Sequence, residues 1–321
     1  MRSILRVLML MFLPSLSPAD PPRAPVSRTL KVAGLERRFH VLVPPTAETG
    51  SPLVIALHGS RGRGDRLDAS MHHGLSREAA RRGWVLALPD GIDRRWNDGR
   101  TVSTPDGGPP VAVDDVAFVN ALVDELVAEG TIDARQIFVV GVSNGGHMAY
   151  RLAIEQSDRF HTIAPIVSNL PEALAERRPK TPVSVMVMNG TADPLVPYEG
   201  GEVVVFGQSR GRVLSTEATI HWWAAHNRCA GEPATRALDD QAPDDGTRIF
   251  VRSLQACQGD TEVTLVKVQG GGHTWPGGPQ YLPERVVGPV SGDADSMRLV
   301  FDFFDRQLPG LQESSRGVTP P

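Results

Sequence analysis

The sequence contains little cysteine, no excess of basic charge and no apolar run long enough to cross a membrane. The spacing of its two cysteines does not fit a zinc site, which needs clustered pairs of ligands. With 33 basic and 37 acidic side chains the net charge is −4, which argues against a protein that holds nucleic acid through phosphate contacts. The longest apolar run, at residues 4–16, is shorter than the roughly 20 residues of a membrane-spanning helix. We therefore expect no nucleic-acid partner.

The first 19 residues are typical of a secretory signal peptide. Arg2 and Arg6 provide a basic start, residues 4–16 are mostly apolar, and small residues occupy the positions before a cleavage site. We expect cleavage after Ala19, an uncleaved anchor being the alternative. The mature protein should then be secreted, to the periplasm or the medium, without stable membrane association.

The two cysteines, Cys229 and Cys257, are expected to form a disulfide because an exported chain meets an oxidising compartment. A bridge over this separation would stabilise the fold by roughly 3–4 kcal/mol in the chain-entropy treatment. Two free, buried thiols are the alternative.

Short apolar runs alternate with helical patterns along the chain. The runs lie at residues 52–57, 84–88, 137–140, 163–167 and 183–188. Continuous apolar runs are typical of parallel strands buried on both faces, and their alternation with helices predicts an α/β fold with a mostly parallel, doubly wound sheet. We expect a proline-rich leader at residues 20–27, a single domain over residues 28–308 and a disordered tail at residues 309–321.

The strongest chemical signal lies in residues 137–146, which read as a strand, a Gly-x-Ser-x-Gly motif and a helix. A serine at such a turn is held in strained geometry with its hydroxyl exposed, and the helix N-terminus favours negative charge beside it. The flanking Gly141 and Gly145 would avoid collisions between the turn and its neighbours. We predict that Ser143 is a nucleophile, a glycine-rich turn with a capping serine being the alternative.

A serine nucleophile needs an imidazole base that a carboxylate orients, and in this fold the acid and then the base follow the serine in the chain. Asp193 lies just past a buried strand, and His273 lies in the glycine-rich segment 270–278 beyond the last predicted strand. We predict these two as acid and base. The other candidates for the acid are Asp158 and the aspartate-rich segment 239–245, and those for the base are His147, His161, His221 and His226.

Two backbone N–H groups should form an oxyanion hole. Asn144 directly follows the nucleophile, and Ser60 lies in the loop after the third predicted strand. Arg61 is the alternative to Ser60. We expect His58 to be structural, bonding the loop backbone. Asp115 is a candidate for a bond to a loop backbone, and the alternative interpretation of this pair is that Asp114 caps the helix that follows.

Three aromatic residues, Trp275, Trp96 and Tyr198, are candidate walls of a substrate pocket, with core packing as the alternative for each. The arginines at positions 61, 63, 66, 94 and 95 could attract an anionic ester, although we expect a solvated surface there. This chemistry requires no metal and no organic cofactor.

Several segments occur together, and in the same order, in one known family. They are residues 57–59, 88–91, 96, 113–116, 141–146, 189–193 and 271–277. This set resembles the secreted polyhydroxybutyrate depolymerase-like esterases, which are akin to feruloyl and acetylxylan esterases within the α/β-hydrolases. The resemblance runs from about residue 30 to residue 304. It implies an α/β-hydrolase catalytic domain with Ser143, Asp193 and His273 as its triad, the three residues that chain order also selects.

The resemblance implies a secreted serine esterase acting on 3-hydroxyalkanoate oligomers or short polyesters. Feruloyl or acetylxylan esters are the alternative substrates, and a catalytically silent binding protein is a remote alternative. Many relatives carry cysteine where this chain has Ser60, so we expect a looser oxyanion loop. The chain shows no separate polymer-binding domain, which argues against action on solid polymer. The sequence does not predict an oligomeric state.

Overall fold

A ten-stranded sheet forms the centre of the computed structural model, which describes residues 24–100, 113–205 and 207–314. Its strands are β1 (Val26–Val32), β2 (Leu35–Leu42), β3 (Ser51–Leu57), β4 (Val85–Pro89), β5 (Ile132–Val142), β6 (Thr162–Ile166), β7 (Ser184–Gly190), β10 (Ala234–Ala237), β11 (Arg248–Leu254) and β12 (Val263–Gln269). A separate hairpin consists of β8 (Gly201–Val205) and β9 (Gln208–Val213).

The strand order is β1-β2-β4-β3-β5-β6-β7-β12-β11-β10. The six strands from β4 to β12 in this order pair in parallel, and the outer strands pair antiparallel. This arrangement confirms the predicted α/β fold with a mostly parallel sheet.

The helices are α1 (Gly64–Ser70), α2 (Gly74–Arg82), α3 (Asp115–Ala128), α4 (Asn144–Glu155), α5 (Glu172–Ala175), α6 (Thr216–His226), α7 (Glu284–Val287) and α8 (Ser296–Ser314). Two short 3-10 turns lie at Ile92–Arg94 and Gln258–Asp260. Asp114 caps α3 by accepting the N–H of Ala117 at 2.8 Å.

Both faces of the sheet are buried, as the continuous apolar runs predict. In β3, Leu53 and Ile55 belong to the core on one face, and Val54 belongs to the core on the other. Side chains of α3, α4 and α6 complete the first core, and those of α1, α2 and α8 complete the second. Successive side chains of a strand point to opposite faces, so a strand between two helical layers must be apolar throughout.

The topology places a crevice beside β3. After β3 the chain forms β4 on one side of β3 and then β5 on the other side of β3. β3 and β5 are therefore neighbours whose connections run in opposite directions. In open α/β sheets, ligands bind at such a switch point, outside the carboxyl ends of the strands.

The ends of the domain differ slightly from the predicted limits. Strand β1 begins at Val26, inside the predicted leader, and α8 continues to Ser314, inside the predicted disordered tail. The predicted signal peptide lies outside the described residues. Within the described ranges, no helix is long and apolar enough to span a bilayer.

Cys229 and Cys257 are joined in a disulfide, as expected. The bridge links the segment that follows α6 to the segment that follows β11.

Candidate active site

Ser143 forms the turn between β5 and α4. Its backbone has φ 54° and ψ −117°, a positive φ at a residue with a side chain. Such a conformation costs on the order of 1–3 kcal/mol and persists only where the surroundings enforce it. A strained serine at a strand-to-helix turn has the geometry of a nucleophile elbow, with the hydroxyl at the carboxyl edge of the sheet.

Steric contacts explain the two glycines of the motif. A Cβ on Gly141 would lie 2.2 Å from the carbonyl oxygen of Gly145, and a Cβ on Gly145 would lie 2.2 Å from the carbonyl oxygen of Leu57. Both are contacts with backbone, which cannot swing aside. The glycines therefore let α4 start directly against the ends of β5 and β3, which fixes the position of Ser143.

His273 and Asp193 form a buried hydrogen-bonded pair. The imidazole Nδ1 lies 2.7 Å from Asp193 Oδ2, and the two side chains are 7% and 2% exposed. The other carboxylate oxygen accepts the N–H groups of Leu195 at 2.8 Å and Val196 at 2.9 Å. Because the carboxylate only accepts, Nδ1 carries the proton, and Nε2 of a neutral His273 is free to receive another.

The structure thus places His273 in hydrogen-bond contact with Asp193. Among the described residues it shows no hydrogen bond from Ser143 to His273. Both lie in loops at the same edge of the sheet, after β5 and β12. His147 lies one turn of α4 beyond Ser143, and its backbone N–H donates to the carbonyl of Ser143 at 2.9 Å. Catalytic hydrogen bonds are often long in a free enzyme and tighten when substrate binds.

Several of the other acid and base candidates have different partners. Asp240, in the aspartate-rich segment, pairs with Arg248 at 2.6 Å. His147 Nδ1 lies 2.9 Å from the carbonyl of Asn169, and the imidazole is fully buried. Burial, followed by the charge of Arg100, lowers the pKa of His147 to about 3.

Asn144 is held by its side chain while its backbone N–H stays available. The side-chain oxygen accepts the N–H of Trp96 at 2.8 Å, and the amide group donates to the carbonyl of Trp96 at 3.0 Å and to Asp98 Oδ2 at 2.6 Å. The backbone N–H belongs to the first turn of α4, where a helix offers no acceptor.

The loop after β3 favours Ser60 over Arg61 as the second donor. The N–H of Arg61 donates to the carbonyl of Arg94 at 2.8 Å and is therefore engaged. Ser60 is exposed and directly follows Gly59. A Cβ atom added to Gly59 would lie 3.5 Å from the Cβ of Ser143. The loop therefore passes next to Ser143.

His58 has the structural contacts that the sequence suggests. Its Nδ1 lies 2.8 Å from the carbonyl of Gly59, and its Nε2 accepts the N–H of Gly91 at 3.0 Å. The indole of Trp96 donates to its carbonyl at 2.8 Å. Burial lowers the pKa of His58, so the neutral ring links the loops after β3 and β4.

The three candidate pocket aromatics all have packing contacts. Trp96 is 4% exposed and belongs to the core, Trp275 stacks on Tyr281 with ring centroids 5.8 Å apart, and the Tyr198 hydroxyl donates to Glu217 at 2.8 Å. Tyr198 and Trp275 are 6% and 8% exposed, so the burial of all three residues agrees with core packing. Their contact with substrate stays a prediction.

Several residues around the site were not predicted from the sequence. The Tyr281 hydroxyl donates to the carbonyl of His273 at 2.8 Å, and Asp98 bonds both Asn144 and Arg100. These residues lie in irregular loops without periodicity or motif, so nothing local marks them. Asp115, by contrast, does bond a loop backbone, since it accepts the N–H of Asn97 at 2.7 Å.

One group of side chains has metal-ligand spacing. His40, Asp65 and Asp90 each place one ligand atom within 4.8 Å of the others. This group shares no residue with the Ser143, His273 and Asp193 set. Asp90 also accepts the N–H of Gly64 at 2.6 Å, which supports the loop structure.

Comparisons with known proteins find esterases among the proteins similar to this chain. The model of the prolyl oligopeptidase family, Peptidase S9, matches residues 112–171, which include the elbow. The putative esterase NocK of Nocardia uniformis subsp. tsuyamanensis is 31% identical over 288 residues, covering 86% of this chain and 81% of NocK. Feruloyl esterase B of Piromyces equi is 24% identical over 235 residues, which cover 71% of this chain but only 40% of that protein.

A solved structure extends the similarity to the fold. The acetyl xylan esterase from Aspergillus awamori has a TM-score of 0.53 and 14% identity, covering 87% of this chain and 99% of that one. Fold and comparisons together define an enzyme with the α/β-hydrolase fold, a serine hydrolase of the esterase class. The chain belongs to the same family as the putative esterase NocK. The narrower resemblance to polyhydroxybutyrate depolymerases stays a prediction.

Proposed function

We propose that this protein hydrolyses carboxylic esters through an acyl-enzyme on Ser143, with His273 as the base and Asp193 as its orienting acid. The observation that carries this proposal is the buried His273–Asp193 pair, 2.7 Å apart, at the same sheet edge as a serine in strained elbow geometry. A serine hydroxyl is a weak nucleophile near neutral pH, and this pairing supplies the base that it needs.

In the first half of the reaction, Ser143 Oγ attacks the ester carbonyl carbon while its proton passes to His273 Nε2. Asp193 holds the neutral imidazole in the tautomer with its proton on Nδ1, and it then stabilises the imidazolium. Two backbone N–H groups in turn hold Asp193 in place. The carbonyl oxygen becomes an oxyanion that accepts the N–H groups of Asn144 and Ser60.

The intermediate then collapses. The ester C–O bond breaks, the alcohol leaves with the proton from His273, and the acyl group stays on Ser143. A water molecule gives its proton to His273 and attacks the acyl carbon. The carboxylic acid leaves, and Ser143 regains its proton. No step calls for a metal or an organic cofactor.

Ser143→Ala tests the proposal directly. We expect the variant to lose at least about 10³-fold in kcat on p-nitrophenyl butyrate, because the nucleophile is gone. Ser70→Ala, which alters a serine bonded to the carbonyl of Leu67 in α1, is the matched control. Activity of Ser143→Ala within tenfold of the wild type, or labelling of that variant by a fluorophosphonate probe, would refute the assignment.

Two classes of ester are proposed as the natural substrate. The names of the relatives, a feruloyl esterase and an acetyl xylan esterase, support plant polysaccharide esters, whereas the motif set supports 3-hydroxyalkanoate oligomers. Methyl ferulate, acetylated xylan and hydroxybutyrate oligomers, compared by kcat/KM on the purified mature chain, separate these substrates. A preference of at least tenfold for one of them decides between the two proposals.

We also propose that the chain is exported, as its first 19 residues and its disulfide suggest. N-terminal sequencing of the protein from an expressing culture should find Asp20 first; recovery of the uncut chain alone would contradict cleavage.

A further inference from the structure

The imidazole of His40, in β2, is buried and has no hydrogen-bond partner at one of its nitrogens. The residue is 6% exposed, and its Nε2 forms no hydrogen bond within the described ranges. A buried polar atom without a partner is costly and rare in folded proteins. A ligand that shares the lone pair of this nitrogen would satisfy it.

Two carboxylates lie around this imidazole. Asp90 Oδ2 is 3.5 Å from His40 Nε2, without the geometry of a hydrogen bond. One ligand atom of each of His40, Asp65 and Asp90 lies within 4.8 Å of the other two. Ligand atoms bonded to a tetrahedral zinc ion at about 2.0–2.2 Å would be about 3.3–3.6 Å apart. The separation of 3.5 Å therefore matches two ligands of one ion better than a hydrogen-bonded pair.

The fold explains why these three residues meet. Strand β2 pairs antiparallel with β4, which places His40 beside the residue that directly follows β4, Asp90. Because side chains alternate along a strand, His40 and Leu42 point to the same face of the sheet. Leu42 belongs to the core that α1 helps to complete, and Asp65 lies in the first turn of α1. The helix thus brings the third side chain to the same face.

Backbone contacts hold the Asp90 carboxylate in place. Its Oδ1 accepts the N–H of Gly64 at 2.6 Å, and its own backbone N–H donates to the carbonyl of Arg38 at 2.9 Å. Metal-binding carboxylates commonly have such a second hydrogen bond, which orients the oxygen that binds the metal. The contact with Gly64 leaves Oδ2 directed toward His40.

The basic side chains nearby leave negative charge at these carboxylates. Asp65 Oδ1 lies 3.1 Å from Arg63 Nε, and both side chains are 38% exposed. Within the described ranges, Asp90 has no lysine or arginine side chain at ion-pair distance from its carboxylate. Arg37, which donates to the backbone carbonyl of Asp90 at 3.4 Å, is already paired with Asp115 at 2.6 Å. A divalent cation would balance the two carboxylates.

We propose that His40, Asp65 and Asp90 bind a zinc ion that fastens the loop between β3 and α1, with water as a further ligand on the exposed side. An imidazole nitrogen with two carboxylate oxygens is a donor set that suits zinc, whereas Mg²⁺ and Ca²⁺ prefer oxygen ligands alone. This loop carries Ser60, the predicted oxyanion donor, and the ion would tie its far end to β2 and to the residue after β4. The inference goes beyond the esterase proposal, because no step of hydrolysis passes through the ion.

Calorimetric titration with zinc chloride tests the site in the purified mature chain, first treated with a chelator. We expect the wild type to bind one zinc ion with a micromolar or tighter Kd. Asp65→Asn and His40→Gln should each weaken this binding at least tenfold, because each removes a ligand. His73→Gln is the matched control, since His73 lies 3.1 Å from the carboxylate of Asp68 but belongs to no group of three ligands within the described ranges.

Zinc can also bind an exposed histidine or the proposed catalytic pair, so His73→Gln and His273→Gln should both keep the wild-type Kd. The proposal is overturned if zinc binding disappears in either of these two variants, persists unchanged in Asp65→Asn, or is absent from the wild type at submillimolar zinc. If His40→Gln does not fold, Asp65→Asn decides, because its side chain is partly exposed and its amide oxygen can still accept from Arg63. Tighter binding of Ca²⁺ than of zinc would show that the assignment of zinc is wrong.

Hydrogen exchange measures the effect on the loop. Backbone N–H groups of residues 58–66 should exchange at least threefold more slowly when the wild type holds zinc, because the ion opposes local opening. Zinc should leave these rates unchanged in Asp65→Asn. Ser143→Ala should show the same zinc protection as the wild type, so this measurement is independent of the esterase proposal. Zinc binding without slower exchange would overturn the fastening of the loop.

Discussion

The orientation of His273 depends on a single carboxylate whose own orientation is fixed by the backbone. Asp193 Oδ1 accepts two N–H groups, so Oδ2 must be the atom that faces the imidazole. An amide at this position would keep its oxygen on the two N–H donors and turn its NH₂ group toward Nδ1. The imidazole would then carry its proton on Nε2, where it cannot accept the proton of Ser143.

Asp193→Asn should therefore lower kcat on p-nitrophenyl butyrate by about 10³–10⁴-fold without loss of fold. Asp124→Asn, which alters an exposed carboxylate of α3, is the control. Thermal melting of both variants checks the fold. A loss of less than tenfold in Asp193→Asn would show that this carboxylate does not set the tautomer of the base.

A second residue-scale effect concerns stability at low pH. The pKa of His147 is lowered to about 3, mainly by burial, so the folded state keeps this imidazole neutral. The unfolded chain takes up a proton at His147 below about pH 6.5, whereas the folded chain does so only near pH 3. Stability is therefore lost as the pH falls through this window, by roughly 3 kcal/mol between pH 7 and pH 4.

His147→Gln should show a shallower loss of stability on acidification, since its amide does not titrate and can still donate to the carbonyl of Asn169. The measurement is urea unfolding at pH 7, 5.5 and 4, with His226→Gln as the control. The carboxylates contribute alike in all three proteins. Parallel pH curves for His147→Gln and the wild type would contradict the role of His147.

At the scale of the element, the turn at Ser143 depends on close contacts between backbone atoms of β5, α4 and the end of β3. Gly141→Ala would place a Cβ 2.2 Å from the carbonyl oxygen of Gly145. Since backbone cannot yield as a side chain does, we expect a loss of more than about 3 kcal/mol in the free energy of unfolding. Gly59→Ala is the matched control for stability, because its Cβ would meet nothing closer than 3.4 Å. Equal melting temperatures of the two variants would contradict this account.

The sequence predicts elements that a local pattern marks. It does not predict elements whose placement depends on contacts between residues far apart in the chain. The strand, Ser143 and α4 follow from one continuous motif, and Asp193 and His273 follow from chain order. Strand β10 has no alternation of apolar and polar residues to mark it, because all its residues are exposed at the sheet edge. The β8–β9 hairpin forms a sheet of its own, and no local pattern marks its placement outside the central sheet.

At the scale of the whole molecule, the proposed catalytic edge, which carries Ser143, Asp193 and His273, and the antiparallel flank of the sheet are stabilised by different means. The strands that carry Ser143, Asp193 and His273 lie between two helical layers. The β10–β11 flank ends in an exposed strand, and the disulfide joins the segment after β11 to the segment after α6. The bridge therefore fastens a peripheral part of the fold and touches none of the three proposed catalytic residues.

Replacing both cysteines by serine should lower the free energy of unfolding by about 2–4 kcal/mol, because the unfolded chain regains the freedom that a bridge across a sequence separation of 28 removes. Activity on p-nitrophenyl butyrate at 25 °C should persist, since the catalytic edge has its own packing. Urea unfolding of the variant and of the wild type, each with and without reductant, makes the comparison. Reductant should destabilise the wild type toward the variant and leave the variant unchanged. A variant as stable as the oxidised wild type would show that the helical layers alone hold this flank.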